Sequence, residues 1–395
     1  MRSPWKVTMI TLTTLHIASL RRKTSAFLVS RSISNQVMNR MHKQQLCLPH
    51  SKLFLSTTTK TTAPKIVAGE EKVIQDMLYR IRQCNNMPDE IRASLIIFEL
   101  DGVRLGKVRP KMADLLCSVE SPRGNGPVFE LIQPSDSAGS PILTLSSKVA
   151  GTTVESRTEA VAHVTNELRQ QGVITGWRDE LFPVSDSFYN PPWFLIERAA
   201  VNSLGVLEYG VHINGLVKAE PSGNGGDSST VMDPPPLMWM ARRSATKSKF
   251  PGMLDHIVAG GQPAGLSLME NVVKECEEEA GIPEDIALRN VHPTGVISYE
   301  AYDPKREKVS RVVLFNYDLY LPHDFVPTPV DGEVEEFFLW SIDELKDSMA
   351  PDYPDPIKPN CYAVIIEFLL RAGFISPETP GYLDIVRELR SGDCR

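Results

Sequence analysis

Apolar positions recur at helical spacing over residues 70–83, where Val73, Ile74, Met77, Leu78 and Ile81 fall on one face and predict a helix. Ser94 to Leu100 then reads as a strand. It meets Asp101-Gly102, a hairpin turn signal, and continues as a second strand from Val103 to Val108. Pro110 opens a short helix through Leu116, because proline suits a first helical turn, and residues 154–172 read as a longer helix stopped at Gly172. These elements predict a small α+β domain over residues 65–190, with no catalytic constellation in it. From Trp193 the pattern turns to strands at Gly205 to Val217, Pro236 to Arg242, Val291 to Tyr299, Arg311 to Leu321 and Glu336 to Trp340. Between and after them come a Glu-rich helix ending near Gly281, a helix from Ser341 and an amphipathic helix from Asn360 to Ala372. Strands alternating with helices that must cover both faces imply an α/β/α sandwich around a mixed sheet over residues 191–373, followed by a helical tail at 374–395. The Gly- and Ser-rich stretch from Glu220 to Asp227 is a flexible loop by composition.

Composition narrows the class. The chain is 42% hydrophobic and 23% charged, and no apolar run is long enough to span a bilayer. Its net charge of -7 is unevenly spread. Residues 1–65 hold eleven Lys or Arg and no acid, which leaves 31 basic against 49 acidic residues in the rest. A body that acidic argues against nucleic-acid binding, which needs a basic footprint. The six cysteines stand apart without a CxxC pair, suiting a reducing compartment rather than a disulfide framework or zinc site. Residues 1–64, rich in Ser, Thr and Arg, read as a targeting presequence with no core-forming periodicity. A moderately apolar stretch from Val7 to Leu20, between Lys6 and Arg21-Arg22-Lys23 and followed by Thr24-Ser25-Ala26-Phe27, resembles a two-part plastid presequence. Mitochondrial import is the alternative.

The chemistry concentrates in Gly260-Gly261-Gln262-Pro263-Ala264-Gly265 and the helix after it, Lys274-Glu275-Cys276-Glu277-Glu278-Glu279-Ala280-Gly281-Ile282. Glu275, Glu278 and Glu279 sit at i, i+3 and i+4, so their carboxylates share one side of the helix. Like charges that close repel unless a cation joins them, and carboxylate oxygens suit a hard ion such as Mg²⁺, with Mn²⁺ as a substitute. An ion held this way serves phosphate chemistry. On spacing alone, a Glu cluster on a helix is more often a solvated face.

The segment from Glu275 to Ile282 resembles the second half of the Nudix box. The chain departs from that pattern at Lys274, where Arg is usual, at Leu266, where the first Glu is usual, and in a loop one residue short between Gly261 and Gly265. Trp177 to Glu180, Glu197 to Ala200, Gly210 to Gly215, Ala241 to Ser244, Pro251 to Asp255 and Glu270 to Glu275 are similar to the thiamine-pyrophosphokinase-related Nudix subgroup, which carries an extra N-terminal domain. That resemblance implies a Mg²⁺-dependent hydrolase acting on a small-molecule diphosphate, thiamine diphosphate or its oxidised or damaged analogues, to give the monophosphate. It implies metal ligation by Glu275, Glu278, Glu279 and the Gly261 carbonyl. Either a helix carboxylate or Glu333 would take a proton from water. Arg242, Arg243, Lys247 and Lys274 are the candidates for phosphate contact, with Arg242 and Arg243 adjacent on a strand so that at most one faces the pocket. His212 reads as a hydrogen-bonded core residue and Cys276 as packing. Two other functions stay open: a module that binds thiamine diphosphate without turnover, and an isopentenyl-diphosphate isomerase-like enzyme, although Ala259 and Gly261 stand where that enzyme needs Cys and His.

Overall fold

The structure, a computed structural model, describes residues 69–133, 139–218, 234–247 and 249–394. The expected presequence and the loop from Glu220 to Asp227 lie outside those residues. The first described elements are α1 (Glu70–Cys84), α2 (Asp89–Ala93), β1 (Ile96–Leu100), β2 (Val103–Val108), α3 (Pro110–Cys117), β3 (Phe129–Ile132) and β4 (Ile142–Leu145). There follow α4 (Ser147–Ala150), α5 (Val154–Gln170), β5 (Leu181–Val184) and β6 (Phe194–Glu197). Asp101 and Gly102 join β1 to β2 with φ of 49° and 83°, the pair of left-handed residues that a two-residue hairpin requires. The four strands β2-β1-β4-β3 form one sheet, whose Phe98, Phe129 and Leu143 pack on Leu116 of α3 and on Val161, Val164 and Leu168 of α5. The hairpin of β5 and β6 adds Phe182 and Ile196 to the same core.

The second group runs α6 (Val201–Leu204), β7 (Leu207–Val217), β8 (Leu237–Arg243), β9 (Leu254–His256), β10 (Val258–Gly261), α7 (Leu268–Ala280) and α8 (Glu284–Asn290). It continues with β11 (Val291–Asp303), β12 (Lys308–Tyr320), β13 (Val334–Trp340), α9 (Ile342–Asp347), α10 (Pro359–Arg371) and α11 (Tyr382–Glu388). Seven strands form a mixed sheet along the path β11-β12-β7-β8-β13, with β10 on β7 and β9 on β8. The β12–β7 pair is parallel and the others are antiparallel. Alternation along β7 sends Val211 and Ile213 to the face where Val272 and Cys276 of α7 pack, and Leu216 to the opposite face under α10. This is an α/β fold with helices on both sides of a mixed sheet, preceded by an α+β segment.

One helix sits elsewhere than its place in the sequence suggests. Residues 70–83 group by position with the small N-terminal sheet, but Ile74, Met77 and Ile81 of α1 join the core beneath α10. α11, from the tail, lies against α1 and contributes Ile385 to that core. A periodic pattern says that one face must be buried, and not which surface buries it.

Candidate active site

α7 begins at a capping box, in which Glu270 N–H donates to Ser267 Oγ at 3.3 Å and Ser267 N–H donates to Glu270 Oε2 at 2.8 Å. It ends on Gly281, left-handed at φ 61°, with Ile282 N–H donating back to the Cys276 carbonyl at 3.0 Å. Between those ends Val272, Cys276 and Ala280 are fully buried in the core, which fixes the rotation of the helix about its axis. That rotation turns Glu275 and Glu279 under β10. A Cβ built on Gly260 would lie 2.3 Å from Glu275 Cδ, so glycine is what lets the strand pass this close with Glu275 in place. Glu279 accepts the Ala259 N–H at 2.9 Å.

Burial holds both carboxylates above their usual range despite nearby positive charge. Burial, reinforced by the nearby Glu275 carboxylate, pushes Glu279 up to about 8. Burial also raises Glu275, against the pull of Lys274. Glu278 stands at the exposed edge of the cluster. Its side chain is half exposed and takes Lys274 Nζ at 2.7 Å, while the same ammonium reaches Glu275 at 3.2 Å. Burial opposes the charge on Lys274, but these carboxylates outweigh it and hold its pKa above the usual lysine value. The Gly261 carbonyl accepts Asn271 Nδ2 at 2.8 Å, leaving its second lone pair. One buried and one partly buried carboxylate with raised pKa values, Glu279 and Glu275, and an adjacent carbonyl make an all-oxygen donor set that would gain stability from a hard divalent ion. Mg²⁺ fits those residues.

The turn after β8 forms a second wall. Lys247 pairs with Glu333, and Ser244 N–H donates to the Glu333 carbonyl at 2.8 Å. Burial, together with the Arg243 charge, lowers Lys247 to about 8, against the opposing field of Glu279. Lys247 and Glu333 therefore stand within electrostatic reach of the helix. Arg242 does not. It points the other way along the strand and holds both oxygens of Asp355 at 3.0 and 2.7 Å, with Glu336 at 3.1 Å. Arg243 takes the inner side but is occupied by Asp255 at 2.6 Å and by the carbonyls of Lys249 and Phe250 at 3.0 Å each. Both arginines have partners within the protein, and they face opposite sides of the strand, as adjacent strand residues must.

Other residues near the site carried no signal in their spacing. Behind Glu279 lies a buried polar network. Asp255 is held well below the usual carboxylate range despite burial, by Lys358 at 2.9 Å and by Arg243. It also accepts the Cys361 thiol at 2.6 Å. His212 Nδ1 and His256 Nδ1 share a hydrogen bond of 3.1 Å, and burial lowers His256 to about 4. These side chains come from β7, β8, β9 and the start of α10, so only the sheet pairing brings them together. On the other side, Phe182 and Arg198 cover Gly261. A Cβ there would lie 2.6 Å from Phe182 Cζ and 3.2 Å from Arg198 Cζ. The paired glycines are the sequence trace of both close approaches.

Two family models match the chain: a domain of unknown function, DUF4743, over residues 76–208, and the NUDIX domain over residues 230–361. Nudix hydrolase 24, chloroplastic, of Arabidopsis thaliana is 47% identical over 240 residues, 61% of this chain and 61% of its own length. Nudix hydrolase 20, chloroplastic, of the same plant is 47% identical over 240 residues, 61% of this chain and 59% of that protein. An uncharacterised protein of Saccharomyces cerevisiae is 36% identical over 226 residues, 55% of this chain and 61% of that protein. The chain thus spans about three fifths of the length of these relatives. The glutamate helix and the glycine strand both lie within the region that the NUDIX domain model matches, and the DUF4743 match precedes it in the chain.

Proposed function

We propose that this protein is a Mg²⁺-dependent Nudix hydrolase that splits a diphosphate linkage in a small molecule. The observation that carries this reading is the pair of carboxylates, partly buried Glu275 and buried Glu279, one helical turn apart beneath the Ala259–Gly261 strand. Glu275, Glu279 and the Gly261 carbonyl would hold the ion, with Glu278 at the exposed edge. Bound there, Mg²⁺ supplies charge neutralisation on the diphosphate oxygens and lowers the pKa of a water. Lys247 adds positive charge at the rim, and Glu333, tied to it, is the candidate acceptor of the water's proton. The Arg243 guanidinium acts indirectly, by fixing Asp255 and the chain from Lys249 to Phe250.

The substrate reading is thiamine diphosphate or its oxidised or damaged analogues, giving the monophosphate. It rests on the resemblance of the segments around the altered box. A second reading, binding without turnover, is favoured by one observation: Lys274 already occupies part of the acidic cluster through Glu275 and Glu278. A screen of thiamine-type diphosphates, sugar nucleotides and coenzyme A under saturating Mg²⁺ separates the two, with calorimetry reporting binding. Hydrolysis should appear, and Glu279→Gln should remove it by about 10³-fold or more, as for loss of a group acting in the transition state. Undiminished turnover in that variant would sink the metal-helix assignment; binding of every compound without turnover would favour the second reading. Plastid location belongs to the same proposal, supported by the acid-free first 65 residues and by the word chloroplastic in the names of both plant relatives. A fluorescent fusion of the full chain found outside plastids would overturn it.

A further inference from the structure

The hairpin of β5 and β6 lies within the segment matched by the DUF4743 family, yet it touches the glycine strand of the NUDIX domain. Ala264 N–H donates to the Leu181 carbonyl at 2.9 Å, which pins the shortened loop to β5. Phe182, the next residue along β5, puts its ring edge on Gly261. Arg198 follows β6 immediately and is fixed from several directions. Its N–H donates to the Glu180 carbonyl at 2.8 Å, its Nη1 pairs with Glu180 Oε2 at 2.7 Å, and its guanidinium lies 5.4 Å from the Phe182 ring centroid. The buried Glu197 carboxylate braces the same corner by accepting N–H bonds from Arg178 at 2.9 Å and Ala199 at 3.1 Å. The other end of the guanidinium, Nη2, comes within 3.3 Å of the point where a Gly261 Cβ would be. Arg198 remains 42% exposed, so a solute can reach it.

A cation is thus seated over the strand that roofs Glu275 and Glu279, with its side chain 42% exposed. Arginine's planar fork suits phosphate oxygens, and a guanidinium already held by a carboxylate and a ring loses little freedom on binding one. Arg242 and Arg243, the arginines closest in sequence to the glycine loop, are bound elsewhere. We propose that Arg198 is the phosphate-binding arginine of this site, supplied by the N-terminal segment, and that it takes oxygens of the substrate's diphosphate beside Gly261. The inference rests on the diphosphate reading above. It also gives the N-terminal segment a function: the NUDIX region by itself lacks this cation.

Calorimetry of the full chain with inorganic pyrophosphate and Mg²⁺ tests it. Arg198→Ala should weaken pyrophosphate binding about 10- to 100-fold, the range for one charge-assisted hydrogen-bonded contact, and Arg198→Lys should recover only part of that. A merely structural role would lower the melting temperature and leave the affinity of the folded variant unchanged. The unmutated protein supplies a second measurement. Pyrophosphate should slow modification of Arg198 by an arginine-directed dicarbonyl reagent, read by peptide mass spectrometry. Wild-type affinity in folded Arg198→Ala, an unprotected Arg198, or no pyrophosphate binding to the wild type each overturns the proposal. A wild type that binds pyrophosphate, loses it on Arg198→Ala and splits no diphosphate would instead refute hydrolysis and leave the phosphate site standing.

Discussion

Protonation and stability are coupled at Glu279, which also belongs to the proposed metal site. Its folded-state pKa of about 8 lies above the ordinary 4.5, so the metal-free folded protein keeps a proton that the unfolded chain releases between those values. Both states hold the proton below about 4.5, where the group costs nothing. As pH rises from there towards about 8, the unfolded state gains and metal-free stability falls. A divalent ion reverses the penalty by stabilising the ionised pair. Melting curves in chelator should therefore drop across this window, while Mg²⁺ should raise the melting temperature more near pH 8 than near pH 5, and Mg²⁺ binding near neutrality should release about one proton. In Glu279→Gln the slope and the proton release should both disappear. A melting temperature in chelator that stays flat across the window would contradict the burial assigned to this carboxylate.

Between elements, the critical contact is β10 passing over α7. The helix is locked in rotation by Val272, Cys276 and Ala280, so the strand approaches at the point where Glu275 stands. Gly260→Ala inserts a methyl 2.3 Å from the Glu275 Cδ, and a flexible side chain yields more readily than a strand bonded to β7. The expected stability cost is correspondingly modest, about 1–3 kcal/mol, as for overpacking by one methyl. The expected functional cost is larger, because Glu275 must leave the position it shares with Glu279. Mg²⁺ titration and a melting curve on the same sample check this. Unchanged Mg²⁺ affinity alongside a lowered melting temperature would mean that Glu275 is not a ligand.

At the scale of the whole molecule, the region matched as a NUDIX domain is not a structural unit by itself. It spans residues 230–361 and so omits β7, which pairs with β12, β8 and β10. It also omits α1, whose Ile74, Met77 and Ile81 complete the core under α10. Residues 64–395 behave as one compact unit in their contacts. Expressed alone, residues 230–361 should lack a cooperative melting transition, whereas residues 64–395 should retain one; circular dichroism on the two fragments decides it. A cooperative transition in the short fragment would show that β7 and α1 are dispensable.

The sequence by itself determined the elements whose cause is local. Helical spacing set α1, α5 and α10, Asp101-Gly102 set the first hairpin, and Gly281 ended the glutamate helix, whose Glu275, Glu278 and Glu279 spacing singled it out before any strand was paired. Short strands such as β5, β9 and β10 were not legible, since three or four residues carry too little periodicity to identify. Only the tertiary structure decided which charges serve the site. Lys274 draws Glu278 outward, Asp355 and Asp255 take Arg242 and Arg243, and the β5–β6 hairpin brings Arg198 to Gly261. The physical reason is the same in each case. A charge goes where long-range packing puts its partner, and spacing along the chain records only the partners that lie within a few residues.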